Sequence, residues 1–325
     1  MADQSEAQSE KSIDVITLGE TMALMKAETL GPLAHAPSLG LGIGGAESNV
    51  AIALARLDLS VLWIGRCGLD SLGDLVKREL LAEGLQIVCH RDGEAPTGLM
   101  IKERRTAESV KVWYHRSGSA GSRLAPDDIP AQKIAQSRLL HLTGITPALS
   151  STAAKAVQYA VECAKDAGTL ISFDLNYRSA LWQPAAAAKV FRHLIGQADI
   201  VFAGAEEAAI AVGEAVTPLE IAQRVALLGP SQVIIKLGAA GCLALVEGIA
   251  YEHAAIPVHV VDTVGAGDAF VAGYLSELLR GRNVHERLLT AVRTGAFACT
   301  VSGDWEGFPK RSELALLDAV DPVNR

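Results

Sequence analysis

The sequence predicts an α/β protein whose mostly parallel central sheet is covered by helices on both faces. Apolar runs of strand length alternate with segments of helical spacing along most of the chain. Such alternation indicates strand–helix–strand crossovers, which join parallel strands and place helices on the faces of the sheet. The length of 325 residues suits one large domain, and the 50% hydrophobic content is enough for its core.

The individual elements follow from the apolar pattern in chain order. The run IDVITLG at 13–19 is typical of a first buried strand, and 47–57 carries apolar residues at helical spacing. Gly84 is a C-terminal stop signal for a helix over 71–84. Further strands are predicted at 61–68, 138–143, 169–174, 199–203, 232–238, 241–246 and 256–261, and further helices at 150–167, 184–196, 205–212, 218–228, 266–281 and 285–301.

A predicted β-hairpin interrupts this alternation. Residues 98–105 and 109–116 both favour strand and lie close together in sequence. A pair of strands inserted in such a fold commonly serves as a lid or an interface. We therefore expect one domain over 12–325, with lid strands drawn from about 20–42 and 96–118.

Composition argues against several classes of partner. The formal net charge of −8 disfavours nucleic acid and anionic membrane as partners, and the 5% aromatic content disfavours a base-stacking surface. No apolar run reaches the length of a membrane span. The histidines show no spacing typical of a zinc site.

The cysteines and the N-terminal segment point to the cytoplasm. The five cysteines are odd in number and form no C-x-x-C pair, which is typical of a reduced protein rather than a disulfide scaffold. Residues 1–11, MADQSEAQSEK, lack the basic and apolar regions of a signal peptide. We expect this segment to be a disordered tail.

The strongest motif is DTVGAGDAF at 262–270, between a strand-like run and a predicted helix. Gly265, Ala266 and Gly267 offer successive backbone N–H groups at a helix N-terminus, which attracts anions. The carboxylate of Asp268 comes directly after them and could take a proton from an attacking hydroxyl. From the residues alone, Asp268 could equally be a capping aspartate after a glycine turn.

The complete motif resembles the signature of the ribokinase-like sugar kinases, also called the PfkB family, and the resemblance spans nearly the whole chain. It implies a three-layer α/β/α fold with a small β lid. It also implies that Asp268 is the catalytic base and that residues 265–267 form the anion hole. Asp262 and Thr263 match positions that often line a monovalent-cation site.

The nucleotide site is also implied by the resemblance, because the chain lacks a G-x-x-x-x-G-K-[ST] phosphate loop. The segment KLGAAG at 236–241 resembles the stretch beside the ATP phosphates, with Lys236, Gly238 and Gly241, together with Gly267, as contacts. Glu207 matches a glutamate that organises Mg²⁺ indirectly. The family asparagine three residues before it is replaced by Gly204. A solvated helix residue is the alternative for Glu207.

Two further segments resemble the 2-keto-3-deoxygluconate kinases within this family. They are Y-x-R-x-G-S-A, beginning at Tyr114, and F-D-x-N-x-R, beginning at Phe173. If the strand at 169–174 continues, alternate side chains of the second segment project to one face. The resemblance implies substrate contacts from Tyr114, Arg116, Asn176, Arg178 and Asp304, and the arginines suit a sugar-acid carboxylate.

The glycine stretch GLGIGGAESN at 40–49 has two interpretations. Its G-x-G-x-x-G pattern is the fingerprint of a dinucleotide site, but the predicted first strand ends some twenty residues too early for that fingerprint. Its second half matches the first family signature, in which Gly44, Gly45 and Asn49 lie against the acceptor sugar. A turn capping a buried helix accounts for the two earlier glycines, Gly40 and Gly42.

The predicted function is ATP-dependent phosphorylation of a hydroxyl of a sugar or sugar acid, with 2-keto-3-deoxygluconate as the first choice. ATP and Mg²⁺ are the implied cofactors, K⁺ is a further candidate, and a homodimer through the lid is expected. A neutral-sugar kinase of the fructokinase or ribokinase type is the alternative within the family. A non-catalytic sugar-binding protein and a dinucleotide-dependent oxidoreductase are the alternatives from other classes.

Overall fold

The computed structural model describes residues 11–106 and 109–318. Almost all of the predicted tail over 1–11 lies outside these residues. Lys11 is its one described member, and its ammonium donates to the Gly168 carbonyl at 3.3 Å.

Strands and helices alternate as the apolar pattern predicts. The strands are β1 (Ile13–Leu18), β2 (Met22–Ala27), β3 (Leu39–Gly44), β4 (Val61–Gly68), β5 (Gln86–Asp92), β6 (Leu99–Arg104), β7 (Val110–His115), β8 (Ser137–Thr143), β9 (Leu170–Asp174), β10 (Ile200–Gly204), β11 (Gln232–Lys236), β12 (Cys242–Val246) and β13 (Ile249–His253). The helices are α1 (Ala46–Arg56), α2 (Ser71–Ala82), α3 (Ala131–Ala135), α4 (Thr146–Leu149), α5 (Ser151–Asp166), α6 (Pro184–Ile195), α7 (Ala205–Val212), α8 (Pro218–Ala226), α9 (Ala266–Leu279) and α10 (Val284–Ala298).

A nine-stranded sheet in the order β13-β12-β11-β10-β9-β8-β1-β4-β5 forms the centre of the molecule. Neighbouring strands from β11 to β5 are parallel, and β12 and β13 extend one edge in antiparallel fashion. Helices α5 to α8 pack on one face, and α1, α2, α9 and α10 pack on the other. Because strand side chains alternate between faces, Leu140 and Leu142 belong to one core and Leu139 to the other. The predicted three-layer ribokinase-like architecture is confirmed.

A second, four-stranded sheet has the order β3-β2-β6-β7. The predicted hairpin is present, since β6 and β7 are antiparallel, while β2 and β6 are parallel. The chain leaves the large sheet after β1 and enters the small sheet at β2, through the short link Gly19, Glu20 and Thr21. The small sheet therefore stands over the carboxyl ends of the central strands, where parallel sheets bind ligands.

Two local predictions are wrong, and the condition attached to a third is not met. Residues 256–261 form no strand, and the chain there runs as a loop into the glycine motif. Gly40 and Gly42 lie within strand β3 rather than in a turn, and only Gly45 caps the following helix. The strand at 169–174 does not continue to Asn176: it ends at Asp174, and Asn176 adopts a left-handed backbone with φ of 39°.

Two further observations concern disulfide bonds and membrane-spanning helices. All five cysteines are free of disulfide bonds. Among the helices of residues 11–106 and 109–318, none combines the length and apolar character that a membrane span requires. The cytoplasmic location stays a prediction.

Candidate active site

The site is a cavity of about 1070 Å³ between the small sheet and the carboxyl ends of the central strands. Strands β9, β10 and β11 end in its wall, and helices α1 and α9 begin there. Both signatures singled out in the sequence therefore open onto one cavity, although they lie more than two hundred residues apart. The following residues named above lie on its wall: Gly45, Asn49, Tyr114, Arg116, Asn176, Arg178, Glu207, Lys236, Thr263, Gly265, Gly267, Asp268 and Asp304.

Asp268 is a buried carboxylate in the first turn of α9, only 9% exposed. Burial raises its pKa to about 7, because desolvation disfavours the charged form. A hydrogen bond from Asn49 Nδ2 to Asp268 Oδ2, at 2.8 Å, opposes this shift. A carboxylate that titrates near neutral pH and faces a cavity has the properties of a general base.

Asn49 joins the two sequence signatures. It lies in α1, and its amide donates to Asp268 while its carbonyl oxygen Oδ1 is buried and has no hydrogen-bond partner among the described residues. Buried polar atoms in folded proteins are almost always hydrogen-bonded. The free oxygen on the cavity wall is therefore a position where a ligand hydroxyl could donate.

The glycines of the motif allow close backbone approach. Gly265 caps α9 with a left-handed φ of 77°, and an added Cβ there would collide with the carbonyl of Asp304. An added Cβ at Gly267 would lie 3.8 Å from the ammonium of Lys236. The N–H groups at this helix end and the lysine together are suited to hold an anion.

Lys236 is held in place by Asp174. The ammonium at the end of β11 lies 2.7 and 2.8 Å from the two carboxylate oxygens of Asp174 at the end of β9. Burial lowers the pKa of Lys236, but the neighbouring Asp174 and Glu207 outweigh burial and raise it overall. The lysine is therefore a fixed positive charge beside Gly267.

Glu207 caps the N-terminus of α7. Its two carboxylate oxygens accept from the backbone N–H groups of Gly204 at 2.7 Å and Tyr177 at 3.0 Å. Each oxygen keeps a second acceptor position for water. An added Cβ at Gly204 would lie 3.4 Å from Glu207, which is ordinary contact, so the first carbon of a side chain fits at this position.

The lid side of the cavity carries Tyr114 and Arg116. The guanidinium of Arg116 lies 5.8 Å from the ring centre of Tyr114 and contacts the buried carboxylate of Glu20 through Nε at 2.8 Å and Nη2 at 2.6 Å. Ser119 also donates to Glu20. Added Cβ atoms at Gly98 or Gly121 would collide with Glu20, so glycine at both positions makes room for it. Glu20 therefore fixes the orientation of Arg116.

A buried lysine supports the motif from the lid. Lys102 of β6 is 1% exposed, and its ammonium lies 2.7 Å from Asp262 Oδ2 and 3.3 Å from Asp304 Oδ1. Burial raises the pKa of Asp304, and Lys102 opposes that effect. Asp262 lies behind the cavity wall rather than on it.

Four other predicted contacts lie off the wall. Gly44 lies behind it, and a Cβ added there would collide with Asp304. Ala266 stands between two wall residues at the start of α9. Gly238 and Gly241 follow Lys236, both with positive φ, and do not line the cavity. Their nucleotide contacts stay a prediction.

Comparison with known proteins agrees with this geometry. The sequence profile of the pfkB family of carbohydrate kinases matches residues 12–311. The chain belongs to the PfkB family. The kinase is 36% identical to a 2-dehydro-3-deoxygluconokinase of Bacillus subtilis, over 93% of this chain and 94% of that relative. It is also 30% identical to a fructokinase of Escherichia coli, over 93% and 98% of the two chains.

The kinase also superposes on a solved relative. The crystal structure of 2-dehydro-3-deoxygluconokinase from Thermotoga maritima matches it with a TM-score of 0.86 and 26% identity, covering 94% of this chain and 100% of that one. The protein is a carbohydrate kinase, as the motif at 262–270 indicates. Membership of the PfkB family rules out a dinucleotide-dependent oxidoreductase, and the glycine stretch forms strand β3 and the start of α1.

Sequence reasoning missed three features of this kinase site. Two are the hydrogen bond between Asn49 and Asp268 and the salt bridge between Glu20 and Arg116, which join residues distant in sequence. The third is Lys102, for which a signal existed. In the predicted strand it shares a face with Met100, so the alternation places both side chains inward.

Proposed function

We propose that this kinase transfers the γ-phosphoryl group of ATP to a hydroxyl of a sugar acid, with 2-keto-3-deoxygluconate (2-dehydro-3-deoxygluconate) as the preferred acceptor. The observation that carries the proposal is the position of Asp268. It is a buried carboxylate with a raised pKa, it is oriented by Asn49, and it lies at the glycine-rich start of α9 opposite Arg116.

The reaction assigns Asp268 the role of general base. The acceptor hydroxyl oxygen attacks the γ-phosphorus, its proton passes to Asp268, and the bond to the bridging oxygen breaks to release ADP. The backbone N–H groups of residues 265–267 and the ammonium of Lys236 stabilise charge on the phosphoryl oxygens. The free Oδ1 of Asn49 accepts from a second hydroxyl of the acceptor.

The residues present fit ATP and Mg²⁺. The glycine cradle at 265–267 and Lys236 suit a triphosphate, and Glu207 suits water-mediated contact with a metal. Across the described part of the chain, no three acidic, histidine or cysteine side chains converge as a metal-binding cluster. Bound Mg²⁺ would neutralise phosphate charge, and it is typically held by phosphates and water with few protein ligands.

The sugar-acid choice rests on the cationic groups around the acceptor end. Arg116 and Arg178 both line the cavity of a protein whose net charge is −8. Since Arg116 already contacts Glu20 through Nε and Nη2, an acceptor carboxylate would meet its Nη1 group. The names of the Bacillus subtilis and Thermotoga maritima relatives agree with such a substrate.

A neutral-sugar kinase is the second candidate, and the similarity to a fructokinase favours it. In that case the salt bridge between Glu20 and Arg116 would be purely structural, with its charges neutralised before any substrate binds.

The decisive experiment is a direct assay of ADP release with ATP and Mg²⁺. The acceptors are 2-keto-3-deoxygluconate, 2-keto-3-deoxygalactonate, fructose and ribose. We expect the highest kcat/KM for 2-keto-3-deoxygluconate, and Asp268→Asn should lower kcat by about 10³-fold because the base is lost. Asp166→Asn, on the exposed end of α5, is the matched control. Normal turnover by Asp268→Asn would refute the general-base role, and a preference for fructose would refute the sugar-acid assignment.

We also propose that the kinase forms a homodimer through the lid. Strand β3 is an edge strand of the small sheet and exposes Leu39 and Leu41. Unpaired strand edges with apolar side chains commonly pair with a second copy. Light scattering after gel filtration should give twice the chain mass for the wild type and the monomer mass for Leu41→Asp. A monomeric wild type would contradict the proposal.

A further inference from the structure

The family resemblance predicts a monovalent-cation site at Asp262 and Thr263, but the surroundings of Asp262 do not fit one. The Asp262 carboxylate accepts from Lys102 Nζ at 2.7 Å and from the N–H of Gly303 at 3.4 Å through Oδ2. Its other oxygen accepts from the N–H of Val264 at 3.2 Å. The carboxylate that would ligate the ion is therefore already engaged by the protein.

Two nearby backbone carbonyl oxygens also accept hydrogen bonds from cationic side chains of the small sheet. Val261 O accepts from Arg104 at 3.2 Å, and Ser302 O accepts from Lys26 at 3.4 Å. Lys26 and Lys102 are register partners on β2 and β6, so adjacent lid strands present both ammonium groups to the same loops. A metal cation here would have to displace these donors and would lie beside a buried ammonium, and like charges repel strongly where water is excluded.

Lys102 also occupies a position that supports the anion hole. One of its partners, Asp262, begins the loop that leads into the hole, and the other, Asp304, has its carbonyl packed against Gly265. The ammonium of Lys102 thus holds both Asp262, which precedes the glycine motif, and Asp304, whose carbonyl packs against Gly265. Because Lys102 is on the lid sheet, it also connects the lid directly to the segment at 262–267 that carries the proposed anion hole.

We propose that the Lys102 ammonium takes the place of the monovalent cation, so that this kinase positions its anion hole with a cation of its own and does not require K⁺. Lys102 is a positioning residue, since it acts through Asp262 and Asp304 on the segment at 262–268, which comprises a loop and the first turn of α9. This inference requires only that the protein is a carbohydrate kinase, and it does not depend on which acceptor is preferred.

The first test compares KCl, NaCl and choline chloride at equal ionic strength with the full-length wild-type enzyme. ADP is measured chromatographically, because a coupling enzyme could itself require K⁺. We expect the three kcat values to agree within about twofold, as they would when the essential charge is already covalently present. Activation of the wild type by K⁺ of roughly tenfold or more would overturn the proposal.

The second test removes the charge. Lys102→Met should lower kcat in choline chloride by about 10²-fold with a smaller change in the acceptor KM, because the phosphate-binding loop loses its support. Lys102→Arg should keep more activity than Lys102→Met. Lys155→Met, an exposed lysine on α5, is the control. A Lys102→Met enzyme that matches the wild type in choline, or that changes only the acceptor KM, contradicts the proposal.

A third measurement does not depend on activity. Thermal unfolding of the wild type should give the same Tm in KCl and choline chloride within about 1 °C, because a specifically bound ion would stabilise the folded state. A K⁺-specific rise in Tm would overturn the proposal even if no tested acceptor is phosphorylated. If Lys102→Met does not fold, the wild-type salt comparisons still decide the question.

Discussion

The two walls of the active site differ in burial. On the side of the large sheet, Asp268, Asn49 and Asp174 are buried, and they are linked to partners by hydrogen bonds or ion pairs. On the lid side, Trp113 and Tyr114 are 44% and 46% exposed. The buried wall excludes water and fixes charges where the proposed chemistry takes place. On the lid side, Trp113 and Tyr114 are free to be ordered by the substrate while Glu20 holds Arg116 in place, and this combination suits a role in selecting the substrate.

Removal of the fixed positive charge from the buried wall should have the largest effect on turnover. Lys236→Met should lower kcat by about 10² to 10³-fold, because the phosphoryl group loses a preorganised cation and Asp174 is left buried without its partner. Steady-state kinetics with varied ATP and acceptor give the measurement. Lys155→Met, on the exposed side of α5, is the control. A change confined to the acceptor KM would place Lys236 with the substrate-selecting residues instead.

A change on the lid should affect selection rather than turnover. Arg116→Ala should raise the KM for a sugar acid by about 10 to 100-fold, the loss expected for one charge-assisted hydrogen bond, and should leave fructose nearly unaffected. Arg78→Ala, an exposed arginine on α2, serves as the comparison variant. Equal losses for both acceptors would mean that Arg116 supports the fold through Glu20 and does not read the carboxylate.

The smallest expected effect is a change in the pH dependence that Asp268 gives the enzyme. A general base acts only when ionised, so kcat/KM should fall as the pH decreases through about 7, the raised pKa of Asp268. Asn49→Ala removes a hydrogen bond that lowers this pKa, and the acid limb should therefore move to higher pH with roughly a tenfold loss of activity. A pH–rate profile of both enzymes tests the shift. An unchanged limb in Asn49→Ala would separate Asn49 from the base.

Sequence patterns predicted those parts of the fold that depend on local periodicity. The interior strands of the large sheet, and helices α1, α2 and α5 to α10, lie within a few residues of their predicted bounds, because burial on both faces gives strong apolar runs. The two edge strands of this sheet, β5 and β13, were not predicted. Strand β3 was harder to recognise, since its alternate glycines contribute no side chain. The run at 256–261 is apolar enough for a strand but forms none.

The site divides in the same way. The motif around Asp268 and the cavity position of Arg116 and Arg178 could be predicted, because contiguous residues carry them. The partners of these residues could not, since Asn49 meets Asp268 and Lys102 meets Asp262 only through the tertiary fold. A family resemblance transfers the residues at matching positions but not the side chains that surround them, such as Lys102 beside Asp262.

Glu20 has a consequence for protein engineering. It lies in the three-residue link where the chain leaves the large sheet, yet its carboxylate orients Arg116 at the far end of the lid hairpin. A chimera that exchanges only the lid strands between two relatives would separate Arg116 from Glu20, the carboxylate that orients it. Exchanges of acceptor preference should therefore transfer residue 20 and the glycines at 98 and 121 together with the lid.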